Sequence, residues 1–272
     1  MTLIAQLSDL HFGSENRPAL EGALERLGAE PPELAVFAGD LTMRGRRAEF
    51  EAARRFLGRL SSACLVTPGN HDAPYTPARM GAAFGRYERS IGPAAGQAFA
   101  SPRLAAVAIN TARGAQWRLD WSKGAITRPQ ARLALELLAD APAAALRVVV
   151  CHHPLVEMIA GPMSGRVHGG EAAARLFADG RIDLVLTGHV HAPFAFPMPY
   201  ADGLTYAVGA GTLSHRERGA PPGFNLIEAD ADAVHIQALG WTGASFEPWR
   251  AWSLQRRAPC AATQAGRPLQ PI

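Results

Sequence analysis

Lysine is almost missing from this chain. Of its 27 basic residues only Lys123 is lysine, and the other 26 are arginine. That skew follows biased coding composition more readily than selection of guanidinium groups for phosphate. Against 24 acidic residues the net charge is only +3, too weak an excess to argue for a nucleic-acid domain. The densest basic stretch, Arg46, Arg47, Arg54, Arg55 and Arg59, is interleaved with Glu49 and Glu51 and reads as an exposed, ion-paired face. Cysteine is scarce too: Cys64, Cys151 and Cys260 are odd in number and scattered. No disulfide framework follows, and a reducing compartment is expected. No apolar run approaches the roughly 20 residues of a membrane helix, and Met1–Leu7 lacks the basic start of a signal peptide. A cytoplasmic protein without a transmembrane segment is the expectation.

What is present is ordinary globular material. Hydrophobic residues make up 48% and charged residues 19% of the 272 positions, enough for a sizeable core. The 27 Gly and 21 Pro sit largely at turns, which excludes general disorder. Short apolar runs end repeatedly in polar or Gly-rich clusters: residues 3–7, 34–38, 65–67, 148–150 and 182–186. Between them lie helical patterns. Leu20, Leu24 and Leu27 share one face, and Phe50, Ala53, Leu57 and Leu60 another. Thr127-Arg128-Pro129-Gln130 combines an N-cap, an early proline and a capping-box glutamine, opening a helix that runs through Leu138. This alternation predicts an α/β domain whose strands are buried on both faces. After His191 the pattern turns to short strands at 204–208, 224–228 and 233–239. Residues 241–272 show no clear period, so the expected division is one domain over 1–240 and a C-terminal tail over 241–272 that packs on the domain or is partly disordered.

The chemistry lies where the strands end. Asp9-Leu10-His11, Gly39-Asp40, Gly69-Asn70-His71-Asp72, His152-His153 and Gly188-His189-Val190-His191 each follow an apolar run directly. In open α/β sheets, ligands gather at the carboxyl ends of strands. Each motif is weak alone; with 10 Asp and 9 His, an Asp-x-His match arises by chance about a third of the time. The ordered set is much harder to obtain by accident. Carboxylate, amide oxygen and imidazole without a thiolate cluster suit Mn, Fe, Zn or Co. One shared carboxylate can hold two such ions, the arrangement that clamps the attacking and leaving oxygens of a phosphate displacement.

In this order the blocks resemble the calcineurin-like metallophosphoesterase superfamily, over residues 9 to 191. The resemblance implies a four-layer α-β-β-α sandwich of two mixed β-sheets flanked by helices. It assigns Asp9, His11 and His191 to a first transition-metal ion and Asn70, His152 and His189 to a second, with Asp40 bridging. His71 matches the histidine that the family keeps beside the scissile phosphate without binding metal. Chain length, the His-His-Pro block and the Gly-Asp-Leu-Thr run look most like the bacterial branch that hydrolyses cyclic nucleotides and glycerophosphodiesters. The implied activity is a phosphodiesterase whose nucleophile is a water acidified by the two cations. A phosphomonoesterase or nucleotide-sugar lipid pyrophosphatase on the same fold is the alternative. A non-catalytic scaffold is the rival of another class, but it predicts broken blocks, and all seven ligand positions are filled.

The resemblance also marks a departure. The protein-phosphatase branch carries a carboxylate where this chain has Met43, so His71 must be oriented by another partner, Asp72 or a backbone carbonyl. Arg44, His153, His215 and Arg216 are the candidates for substrate contact, set against plain surface or supporting roles; Arg218 is weighed with them. Residues 111–124, with Trp117 and Trp121, form a loop that lies over the site or packs on the body. Cys151 is expected to be an inert core thiol, and His168 and His235 fit no block. The partners expected are a small phosphoester and no stable nucleic acid, with room for a homo-oligomer.

Overall fold

A computed structural model describes residues 1–94, 96–117, 120–157 and 167–258. The first sheet is ordered β12-β11-β10-β1-β2-β3 and the second β4-β5-β6-β7-β9-β8. The first contains β1 (Thr2–Leu7), β2 (Leu34–Ala38), β3 (Ala63–Thr67), β10 (Gly223–Ala229), β11 (Ala233–Trp241) and β12 (Phe246–Gln255). The second contains β4 (Ala98–Ala100), β5 (Leu104–Ala108), β6 (Leu146–Val150), β7 (Leu184–Thr187), β8 (Phe194–Pro197) and β9 (Tyr206–Gly209). Strands β1, β2 and β3 run parallel, as do β5, β6, β7 and β9, with antiparallel strands added at the sides. Both sheets are therefore mixed.

Alternation along each strand divides the apolar residues among three cores. Ile4, Val36, Leu65, Ala106, Val148, Val150 and Leu186 point between the sheets. Their sequence neighbours point outward. Leu7, Ala35 and Phe37 meet helices α1 (Arg17–Ala29) and α2 (Arg47–Leu57), while Val107, Val149 and Val185 meet α4 (Arg128–Leu137) and α5 (Gly170–Asp179). Helix α3 (Gly85–Ser90) packs beside α2, where Phe50 and Tyr87 stand edge to face at 6.2 Å between ring centroids. The result is the four-layer sandwich: helices, sheet, sheet, helices. Helix α4 begins as its sequence requires, with Thr127 Oγ1 accepting from Gln130 N and the Gln130 side chain answering at Thr127 N.

The first sheet continues through residue 240, the expected boundary. That position falls inside β11, and Phe246–Gln255 pairs along β11 as an edge strand. Residues as far as Gln255 thus belong to the first sheet; those from 259 onward, with Cys260, lie outside the described residues. The strand hid because an edge strand exposed along most of its length needs no apolar alternation, and a bulge at Ala238/Leu239 shifts its register beside Pro248. Strands β4, β5 and β8 and helices α3 and α5 also carried no sequence expectation. Leu104-Ala105-Ala106-Val107-Ala108 is alanine-rich, which weakens its strand signal, yet it is wholly buried in the second sheet. Among the described residues no helix is long and apolar enough to cross a membrane.

Candidate active site

The five sequence blocks converge because the parallel strands of both sheets point their carboxyl ends at one edge. Direct bonds lock the sheets together there. Gln6 Nε2 on β1 donates to Thr187 O (3.0 Å) and Val208 O (3.2 Å), and Thr67 Oγ1 donates to Ile109 O (2.9 Å). Asp9, His11, Asp40, His189 and His191 all take positive φ, between 46° and 70°. Left-handed backbone is uncommon for non-glycine residues and is held only where the surroundings over-determine it. Five of the seven expected metal ligands therefore sit in strained turns, each anchored by the strand before it.

Two glycines make the close approach possible. A Cβ at Gly69 would lie 2.1 Å from Asp40 Oδ1 and 2.4 Å from Asp40 N. One at Gly188 would lie 1.7 Å from Ser8 Oγ. Ser8 in turn donates to Asp9 Oδ2 (2.5 Å), which also accepts His189 N (2.9 Å), so the first and last blocks are tied through one carboxylate.

The donor atoms are crowded in a way that a cation would relieve. His152 Nδ1 lies 2.8 Å from Ala38 O, and since a carbonyl only accepts, the proton is on Nδ1. Nε2 then faces Asp40 Oδ2 and Asn70 Oδ1, each at 3.3 Å. The same logic applies to His191. Its Nδ1–H donates to Arg216 O, leaving Nε2 at 3.1 Å from Asp9 Oδ1 and 3.3 Å from His11 Nε2. Asp9 Oδ1 and His11 Nδ1 are buried and have no hydrogen-bond partner. Among the described residues, four triads drawn from Asp9, His11, Asp40, His71, His152, His153, His189 and His191 bring ligand atoms within 4.8 Å of one another, close enough to share metal ions, though in one of them His153 is engaged elsewhere. The donor set fits such ions.

Charge follows the geometry. Burial alone would lower the His152 pKa, but the Asp40 carboxylate outweighs it and pushes it up to about 9. Burial would raise Asp9 and Asp40; the facing imidazoles overcome it and hold both carboxyls well below the usual range. His11 and His189 are pushed down to about 3 by burial, so both are neutral, as ligation requires.

His71 lies at the edge of this cluster. Its backbone N–H donates to Asp40 Oδ1 (2.7 Å) and its Nδ1–H to the carbonyl of Met43 (2.8 Å). Of the two orienting partners expected, the backbone carbonyl is the one found, and it belongs to the residue that replaces the missing carboxylate. Asp72 does something else. Its carboxylate accepts from Leu41 N, Thr42 N, Thr42 Oγ1 and Gly69 N, stapling the loops after β2 and β3. Burial, reinforced by Asp40, pushes Asp72 up to about 7.

The four substrate candidates separate. Arg216 Nη1 reaches His71 Nε2 (3.0 Å) and His11 Nε2 (3.2 Å) and stands inside the site. His153 is buried with both ring nitrogens engaged, Nε2–H on Ser122 O (2.7 Å) and Nδ1 accepting from Thr111 Oγ1 (2.9 Å). It has no ring nitrogen to offer a substrate and instead fixes Thr111 and Ser122 beside the site, its ring 4.6 Å from that of His189; residues 118 and 119 of the expected loop lie outside the described residues. His215 is exposed, and its backbone, not its ring, is tied to Ser14. Arg44 is exposed, near enough for its charge to be felt at Tyr75. Tyr75, in none of the blocks, places its hydroxyl 3.2 Å from His71 Nδ1. Arg79 lies over the Tyr75 and Trp121 rings and donates to Gly114 O, joining the loop after β3 to the 111–124 loop. No spacing rule points to either residue. Cys151 is buried with its thiol pushed up, and His168 and His235 are exposed.

Fold and site together define a metallophosphoesterase, and comparison with known proteins agrees. The family model of the calcineurin-like phosphoesterases matches residues 2–193, and the chain belongs to that family. Among curated proteins it is similar to a glycerophosphodiester phosphodiesterase, GpdQ, of Enterobacter lignolyticus, 35% identical over 86 residues that cover 26% of this chain and 29% of the relative. It is also similar to a probable cyclic nucleotide phosphodiesterase of Synechococcus, 33% identical over 84 residues, covering 27% of this chain and 33% of the relative. The matches thus span a third or less of those relatives. Purple acid phosphatase PPD1 of yellow lupin shares the fold at TM-score 0.70 and 13% identity, covering 97% of this chain and 57% of that one. So does GAP50, described as the anchor in the inner membrane complex of Plasmodium, at TM-score 0.60 and 14% identity over 95% and 90% of the two chains. Fold alone therefore does not separate enzyme from anchor. The site must.

Proposed function

We propose that this chain is a dinuclear metal-dependent phosphodiesterase. The observation that carries the reading is the position of Asp40, whose Oδ2 lies 3.3 Å from His152 Nε2 and 3.8 Å from His11 Nε2. One carboxylate oxygen stands between two imidazoles from different sheets, as a bridging ligand should. Asp9, His11 and His191 would complete one metal position, and Asn70, His152 and His189 the other. When bound, such a pair supplies positive charge that acidifies water and neutralises phosphoryl oxygens.

The protein groups have distinct tasks. Met43 O fixes the His71 ring through Nδ1–H, so Nε2 is the atom turned to the site; in the imidazolium form, with Arg216 drawn onto a phosphoryl oxygen, Nε2–H can pass its proton to a departing alkoxide. Arg216 Nη1, 3.0 Å from that atom, is placed to donate to an anionic oxygen seated beside it. Asp40 holds the His71 backbone, coupling the ring's position to the bridging carboxylate. The two curated relatives, both described as phosphodiesterases, support the diester as substrate. Arg218, which donates to His189 O at 3.4 Å, adds a second cation beside Arg216, and that pair is what would favour a monoester.

Purified protein should contain two equivalents of transition metal, lose turnover to a chelator and regain it with Mn²⁺. It should hydrolyse a bis-aryl phosphate faster than an aryl monophosphate. Asp40→Ala should weaken both metal positions together; loss of one metal with the other at full affinity would refute bridging. Preference for the monophosphate would make the enzyme a phosphatase.

A further inference from the structure

Outside the catalytic edge, α2 and α3 enclose an open groove of about 380 Å³ lined by Arg47, Glu51, Arg54, Arg86, Arg89 and Ser90. Its origin is helical periodicity. Arg47, Glu51 and Arg54 lie four and three residues apart and form one stripe on α2, while Arg86, Arg89 and Ser90 form one on α3. The buried contact between Phe50 and Tyr87 holds the helices side by side and sets the two stripes facing each other.

The charge here is unbalanced. Arginines nearby meet glutamate, Arg26 with Glu30 at 2.8 Å and, just past the end of α2, Arg59 with Glu21 at 2.7 Å. In the groove four arginines face the single carboxylate of Glu51, as large an excess as the +3 of the whole chain. Glu51 is already taken by Arg47 at 2.8 Å. Arg86 donates to Gly45 O at 3.0 Å, which fixes its guanidinium at the groove wall. The side chains of Arg54 and Arg89 have no hydrogen bond or ion pair among the described residues. Guanidinium groups that outnumber the carboxylates beside them repel one another, and an anion that bridges them removes that repulsion while accepting bidentate hydrogen bonds.

We infer that this groove is an accessory anion site, separate from the catalytic centre, for a small molecule carrying two phosphoryl groups. Its volume suits a small ligand, and arginines on two facing helices suit two separated anionic groups better than one. Arg54 and Arg89 bind from opposite walls.

The test uses metal-loaded enzyme and propane-1,3-disulfonate, a probe with two fixed negative charges that ligates metals poorly and is not hydrolysed by a phosphoesterase. Calorimetric titration should show one site, with affinity for the disulfonate about tenfold or more above methanesulfonate, and a rise in melting temperature on binding. Arg54→Gln with Arg89→Gln should lower the affinity by about tenfold or more, the scale of one lost charged hydrogen bond, while metal content and diester turnover stay unchanged. Arg55→Gln, an exposed arginine of the same helix outside the groove, should bind as the parent does. Both groove substitutions are at exposed positions, and unaltered circular dichroism will verify folding. The inference is overturned if the disulfonate binds no tighter than methanesulfonate, if the double variant binds as the parent does, or if Arg216→Gln abolishes binding and so places the probe in the catalytic site.

Discussion

Gly69→Ala isolates how closely the loops after β2 and β3 must approach. Gly69 has φ −106° and ψ −173°, ordinary extended backbone, so alanine brings no conformational penalty there. Its cost is contact alone. The new methyl would meet Asp40 N at 2.4 Å and Oδ1 at 2.1 Å, and relief to an ordinary contact requires the two loops to part by about 1 Å. The backbone atom cannot rotate away as a flexible side chain would. Separation would stretch the bond from His71 N to Asp40 Oδ1 and the bonds by which Asp72 joins Gly69 to Leu41 and Thr42. A misplacement of about 1 Å is enough to lower turnover by about 10²-fold. Metal content by mass spectrometry, steady-state hydrolysis of a bis-aryl phosphate and thermal melting would be read on one preparation. Gly28→Ala is the control: it lies inside α1 with nothing within 4 Å of the added methyl, and should gain about 0.5–1 kcal/mol. Turnover within threefold of the parent in Gly69→Ala, with both metals bound, would refute the reasoning.

Three further outcomes are expected. His71→Asn should keep near-full metal content while turnover falls by about 10²–10⁴-fold; parallel loss of metal would make His71 a ligand or a structural residue. Metal-free protein should lose stability as pH falls below about 6.5, because His11 and His189, pushed down to about 3, must then charge on unfolding, and the depressed carboxyls of Asp9 and Asp40 add a further loss only below about 4; an acid-insensitive melting temperature between pH 6.5 and 4 would contradict this. Asp72→Asn sets an amide N–H₂ against backbone donors and should cost about 1–3 kcal/mol. Asp72 has its folded pKa raised to about 7, so its contribution is fully present below the ordinary carboxyl range and is lost as pH rises through about 7. The stability gap between parent and Asp72→Asn in metal-free protein should therefore narrow from pH 4 to 7, and a widening gap would reverse the assignment.

The linear sequence determined what depends on neighbours a few positions away. The buried strands, the capping box at Thr127 and the order of the donor blocks are all short-range patterns, because a parallel strand buried on both faces must be continuously apolar and its end must turn. The family could be recognised from those blocks alone. Tertiary structure decided what depends on atoms far apart in the chain. Arg216 meets His11 across 205 positions, and His153 is consumed by Thr111 and Ser122, while His215, one residue before Arg216, stays outside. His71 is oriented by a carbonyl, which every residue carries and no sequence pattern marks. Edge strand β12 left no alternation because it is exposed along most of its length, and β5 left little because alanine fills a tight core without favouring a strand. The groove between α2 and α3 required both: periodicity placed the arginines in stripes, and only the packing of Phe50 on Tyr87 turned one stripe toward the other.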